Sequence, residues 1–370
     1  MNRILVIVLS LFLCSCLKAG DIYVEKFNNI LKSKSVVNNL SRIKELSNRG
    51  SSIDFMHISY VLSALNNMYL ATNDVTYLKL NEEIVDDILS TSSQNGGRHV
   101  WIAKSNKERF SIVDGQEVVL YEGYLAKYFA EFLYTSKDVS LPHYSRQLQA
   151  LEALFLKWYE RSMKEFGDPS RLYGVRTHIG AQWGTTALYL AKITENPEIR
   201  EIAGNFHKTF SASLKRNLQV KRKSGNEMYI WNSTWDYPFT KLQKERKESG
   251  KDKAQAQDVS HGNHVIQFVL ASYVLGTNEW KRNDILRFCN TYKYNIYKGK
   301  NKFNDNVDGS GSIDASLKGT GWKVSDAWMK LALYDSSLIP LFDEYYTSNQ
   351  KYIDSSYLNL QFASVFALIK

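Results

Sequence analysis

The stretch DVSHGNHVIQFVLASYVLG, residues 258 to 276, sets Asp258, Ser260, His261, Asn263 and His264 directly before an apolar run. Imidazole has a reference pKa of ~6.5, so it is largely neutral at neutral pH and still basic, which suits a general base. The same residues also have a structural reading, in which Asp258 or Ser260 caps a helix and the imidazoles satisfy buried neighbours. Residues three apart share a helix face, so His261 and His264 meet at one site if both are helical and separate if the helix begins between them.

Three more stretches carry polar groups beside apolar runs. YGVRTHIGAQWGTTALYLA offers Tyr173, Arg176, His178, Gln182 and Trp183, and VVLYEGYLAKYFAEFLY offers Tyr121 and Glu122. YIWNSTWDYPF offers Trp231, Trp235, Asp236 and Tyr237. A glycoside hydrolase would need two carboxylates about 5.5 Å apart for retention or about 6.5 to 9.5 Å apart for inversion, and Glu122, Asp236 and Asp258 are the candidates. His261 and His264 lack the spacing of four found in H-E-x-x-H, so no metal site is expected. NDNVDGSGSID, residues 304 to 314, is followed by Ala315 where a calcium loop has its bidentate Glu, and reads as a tight turn.

The elements that must hold these groups are helices. With 5 prolines, 20 glycines and 13% aromatic residues in 370 positions, breakers are few and large side chains many. Residues 116–134 are apolar nearly all round, the mark of a buried helix, whereas 145–164 is one-sided and reads as an outer one. The pairing recurs, with buried helices over 181–193 and 265–275 and one-sided ones over 197–214 and 279–292. Helices also fit 23–33, 37–49, 54–72, 75–90, 322–334 and 352–369. This alternation predicts an all-α fold of helical hairpins in a ring, an (α/α) toroid, as a single domain over 16–370. Functional groups would then come from inner-helix ends and the loops at one mouth. Residues 241–257, with six basic and three acidic residues, read as an exposed loop beside YIWNSTWDYPF and DVSHGNH.

The chain opens with MNRILVIVLSLFLCSC, whose apolar run from Ile4 to Leu13 is well short of the ~18 to 20 residues that cross a bilayer, and so reads as an export signal over 1–15. Leu13, Cys14, Ser15 and Cys16 resemble a bacterial lipobox. That resemblance implies a mature chain starting at a lipid-carrying Cys16, anchored at the periplasmic side or outer membrane; the alternative is ordinary cleavage and a soluble periplasmic protein. Cys289 is then left without an intrachain disulfide partner. The formal charge of +9 in an exported chain points to anionic glycans or lipid headgroups rather than nucleic acid.

The order of YEG, the segment near residue 180, the Trp-Asp-Tyr loop, DVSHGNH and GWKVSDAWMKLALYD is similar to that of (α/α)-toroid polysaccharide lyases. Asp258, Ser260, His261 and Gly262 match the acidic, hydroxyl and His-Gly pattern that such proteins show before an inner helix. Where they commonly have an Asn near position 180, this chain has His178 and Gln182. The resemblance implies β-elimination on an anionic, uronate-containing polysaccharide, with no cofactor. It implies His261 as base, with His264 as the alternate, Tyr237 as acid, and Asn263 with Gln182 or Arg176 to neutralise the uronate carboxylate. Trp235 and Trp183 would stack on sugar rings, and His178, Tyr121, Glu122 and Asp236 would line the substrate. A hydrolase on the same scaffold and a non-catalytic glycan-binding lipoprotein are the alternatives.

Overall fold

The computed structural model describes residues 19–33, 39–104, 108–251, 254–299, 302–313, 326–354, 356 and 358–370. The signal sequence, the lipobox with Cys16, and the GWKVS part of the last matched motif lie outside the described residues. The fold is mostly helical. The α-helices are α1 (Ala19–Lys32), α2 (Leu40–Ser47), α3 (Phe55–Thr72), α4 (Thr76–Ser90), α5 (Val119–Ser136), α6 (Tyr144–Phe166), α7 (Ser170–Tyr173) and α8 (Thr177–Ile193). They continue as α9 (Pro197–Asn217), α10 (Lys241–Glu248), α11 (Val259–Val274), α12 (Arg282–Thr291), α13 (Ala327–Lys330), α14 (Ile339–Asp354) and α15 (Asn359–Ile369).

Composition decides which helices lie inside. In α5 and α8 apolar and small residues occupy every face, and nearly every residue is buried. In α6 only the face carrying Ala150, Leu151, Leu154, Phe155 and Trp158 is buried. The buried helices pack in sequence: α3 on α5, α5 on α8, α8 on α11, α11 on α13, and both α13 and α3 on α15. One-sided helices cover them, α4 on α3, α6 on α5, α9 on α8, α12 on α11, and α1 and α14 on α15. One continuous apolar core runs from Phe27 to Phe366.

Helix ends follow local chemistry. Asn196 accepts from the amides of Glu198 and Ile199 ahead of Pro197, which opens α9, and left-handed Gly167 closes α6. Gly123 lets α5 and α8 approach, since a Cβ there would sit 2.8 Å from Gln182 Oε1 and 2.9 Å from Trp183 Nε1.

Three antiparallel hairpins occur among the described residues: β1 (Ser93–Asn95) with β2 (Arg98–Val100), β3 (Gln219–Lys223) with β4 (Asn226–Ile230), and β5 (Phe303–Asn304) with β6 (Ser312–Ile313). The expected turn after residue 304 is the β5–β6 connection, in which Asp308 accepts from the Ser310 amide. The expected loop over 241–257 is in part helix. Thr240 and Gln243 form a capping box that starts α10, and buried Gln243 donates to the Gly174 carbonyl. A count of charges misses this, because one cap and one buried amide fix the helix. Helices α8 and α11 begin several residues before the expected 181 and 265, so His178, His261 and His264 are all helical. Helix α14 and the β3–β4 hairpin are not foreshadowed by the apolar pattern.

Candidate active site

Asp258 reconciles the two readings of its stretch. It is the N-cap of α11, accepting from the His261 amide through Oδ1 at 3.1 Å, and its Oδ2 lies 2.8 Å from His261 Nδ1. One carboxylate therefore starts the helix and orients the imidazole. Burial alone would raise the Asp258 carboxyl, but the hydrogen bonds and charge of His261 outweigh it and hold the group below the usual aspartate value. Gln257 fixes the carboxylate, donating to Oδ2 at 3.1 Å while its Oε1 accepts from Thr177 in the first turn of α8. When the imidazole is neutral, Nδ1–H bound to Asp258 leaves the lone pair on His261 Nε2. The side chain is 43% exposed, so that lone pair can meet a substrate.

His178 packs against this imidazole, with ring centroids 4.3 Å apart. Burial first, then the charges of His261 and Arg176, push its pKa well below the imidazole norm, so it is neutral. Its Nδ1 has no hydrogen-bond partner among the described residues. Arg176, the residue before α8, donates to Ser233 Oγ at 3.0 Å and is partly exposed. Trp183 Nε1 donates to the carbonyl of Val119, the first residue of α5, and His178 near the start of α8 meets His261 near the start of α11. Helices α5, α8 and α11 thus begin at one end of the molecule, and their N-termini favour negative charge there.

One turn deeper on α11 the chemistry changes. His264 is 1% exposed, with Nδ1 2.6 Å from Lys127 Nζ and Nε2 3.3 Å from the Tyr124 hydroxyl. Burial, then Lys127, hold its pKa well below normal. Lys127 also donates to Gln267 Oε1 at 2.7 Å, and burial pushes its own pKa down to about 7. Beyond it, Lys330 Nζ lies 2.9 Å from Asp326 Oδ1 and 3.8 Å from Glu131 Oε1, while the Tyr128 hydroxyl donates to Asp326 Oδ2 at 2.7 Å. Asp326 holds a positive φ of 37°, a strained conformation for a non-glycine residue that these contacts sustain.

The other expected site residues are placed as follows. Buried Asn263 accepts from the amides of Ala327 and Trp328, so it caps α13 instead of facing a substrate carboxylate. Gln182 is buried between α5 and α8 opposite Gly123. Trp183 is fully buried in the core, which removes its ring faces from any sugar. Glu122 is sealed in an ion pair with Lys157 at 2.6 Å and accepts from Trp158 Nε1. Burial raises its pKa against the pull of Lys157. Tyr121 belongs to a small separate core with Ile53 and Ala103.

Trp235 is buried edge-on to Phe210 and Phe239, though it lines, with Asp236, Val175 and Lys247, a cavity of about 50 Å³. Asp236 accepts from Asn232 at 2.8 Å. Tyr237 is 52% exposed with its ring under the Arg216 guanidinium, and no contact joins it to His261 among the described residues. The structure therefore brings half-exposed His261 together with Asp258, buried His178 and partly exposed Arg176, and places His264, Asn263, Gln182, Glu122 and Trp183 in the interior. Sequence reasoning missed Gln257, Lys127, Glu131, Asp326 and Lys330. The signal for Lys127 and Glu131 was present as two charges four apart in a helix that is otherwise apolar on nearly every face apart from Glu122. The described residues contain no group of His, Cys, Asp or Glu arranged to hold a metal ion. No protein-family model matches the chain, and no curated protein matches its sequence.

Proposed function

We propose that the protein is an exported (α/α)-toroid lyase that cleaves an anionic, uronate-containing polysaccharide by β-elimination, held to a membrane through lipid on Cys16. The observation that carries the chemistry is the half-exposed His261 with Nδ1 bound to capping Asp258 and Nε2 without a hydrogen-bond partner among the described residues. The ring of packing contacts from α3 round to α15 supports the toroid.

In this reading His261 Nε2 takes the proton from the carbon bearing the uronate carboxylate. The electron pair forms the new carbon–carbon double bond, the glycosidic bond breaks, and the imidazolium returns the proton to the departing oxygen. One residue serves both steps, which dispenses with Tyr237 as acid. Asp258 stabilises the transient imidazolium. The uronate carboxylate must be neutralised before its neighbouring proton becomes acidic, and Arg176 with the N-termini of α8 and α11 supplies positive potential. His178, kept neutral, shapes the site without repelling the imidazolium.

Incubating the purified protein with a panel of uronate polymers tests the proposal, following ultraviolet absorbance from unsaturated ends alongside new reducing ends. Both should rise together. Reducing ends without absorbance would establish hydrolysis, and binding with neither signal would establish a glycan-binding protein.

A further inference from the structure

At the end of the central helices opposite His261 lies a cavity of about 150 Å³. Leu70 of α3, Leu270 and Val274 of α11, Leu333 and Leu368 form its apolar wall, with Glu131 and Lys330 among its polar lining. Three wall residues also stand in solvent: Leu70 is 50% exposed, Val274 67% and Leu333 49%. Aliphatic side chains exposed together at one opening are a poor platform for sugar, which is recognised by flat aromatic faces and hydrogen bonds, and they mark an interaction surface.

The surroundings identify the partner. Tyr134 packs on Tyr189 with centroids 5.4 Å apart, and Tyr273 on Tyr334 at 5.5 Å, so tyrosines flank the aliphatic rim. A lysine stands beyond one of these pairs: Lys137 lies 4.5 Å over the Tyr134 ring. Aliphatic side chains flanked by tyrosines, with a lysine over one of the rings, suit a bilayer interface. The first described turn arrives at the same end, since a Cβ on Gly20 would sit 3.3 Å from the Ala367 carbonyl oxygen. Cys16 precedes Ala19 by three residues, a reach of about 10 Å when extended. Among the described residues no helix is long and apolar enough to cross a membrane, so contact would be with the surface.

We propose that the Leu70, Val274 and Leu333 face seats on a phospholipid surface and turns the His261 mouth away from it. The inference rests in part on the anchoring reading of Cys16. The two can fail separately.

The test is hydrogen–deuterium exchange on the full chain with vesicles of phosphatidylethanolamine and phosphatidylglycerol. Peptides carrying Leu70, Val274 and Leu333 should gain protection, and the one carrying Ile112, which is 81% exposed, should not. The double variant Val274→Asp/Leu333→Asp should lose that protection, and in a Cys16→Ser background its vesicle partition should be about tenfold weaker, equivalent to about 1.4 kcal/mol. In the same background Ile112→Asp should leave partition unchanged. Vesicle binding without protection at this face would overturn the inference and leave the anchor standing. Protection retained in Cys16→Ser would uphold the face without the anchor. Protection without vesicles that grows with protein concentration would show a second copy as the occupant and overturn the inference.

Discussion

His261 and His264 lie three residues apart on α11, yet one borders solvent beside a single carboxylate and the other is sealed among Lys127, Tyr124 and Gln267. Around His261 the partners leave one ring nitrogen free. Around His264 both nitrogens have protein partners, and the network continues inward to Glu131, Lys330 and Asp326. The difference separates two uses of polarity: beside solvent it orients an accessible imidazole, and in the interior it ties α5, α11 and α13 together. A perturbed pKa alone does not tell these apart, since His178, His264 and Lys127 are all shifted by burial. Access does.

The contrast can be broken by mutation. His261→Gln should lower kcat/KM by about 10²- to 10⁴-fold, the usual worth of a general base, with an unchanged melting temperature. A stability loss of similar size to that of an interior residue would place His261 in the sealed class instead. Lys330→Met should cost about 3 to 5 kcal/mol in urea unfolding, because it leaves Asp326 buried without its cation. A value near zero would show that the interior network is replaceable.

The pH dependence of stability sharpens the same point. His178 and His264 have folded pKa values below the unfolded value of ~6.5, so the unfolded chain binds protons first and stability falls as pH drops below that value. Lys127, at about 7 when folded against ~10.4 unfolded, makes stability rise between those limits. The melting temperature should therefore climb from pH 5 to 9, as followed by circular dichroism across that range, and a flat curve would mean that these groups are charged in place. Smaller still, Asn263→Ala should cost about 1 kcal/mol for the lost cap of α13 while each folded molecule keeps its activity. Tyr237→Phe should change kcat/KM by less than about twofold, as expected of an exposed position. A large loss would restore Tyr237 as the acid.

Much of the helical text was legible because apolar residues on every face of α5 and α8 admit no reading but burial. Helix starts were less legible. Apart from Ile179 and Val259, residues 177–180 and 259–264 are polar or small and carry no apolar period, so the cap at Asp258 was visible while the inclusion of both histidines in α11 was not. The site was legible in residue type and not in partner. His261 with Asp258 follows from a spacing of three, whereas the contact of His178 with His261 spans 83 positions and depends on how α8 meets α11. Asn263 and Trp183 were misread because a polar or aromatic residue near a helix start serves a neighbouring helix as readily as a ligand.

The most direct test of the account is proton NMR of a uronate oligomer during turnover by the wild-type chain and by His261→Gln. The account predicts that the wild type removes the resonance of the proton beside the carboxylate and produces a vinylic one, while the variant does neither. Cleavage that leaves the first resonance intact, or unchanged turnover by the variant, would contradict it.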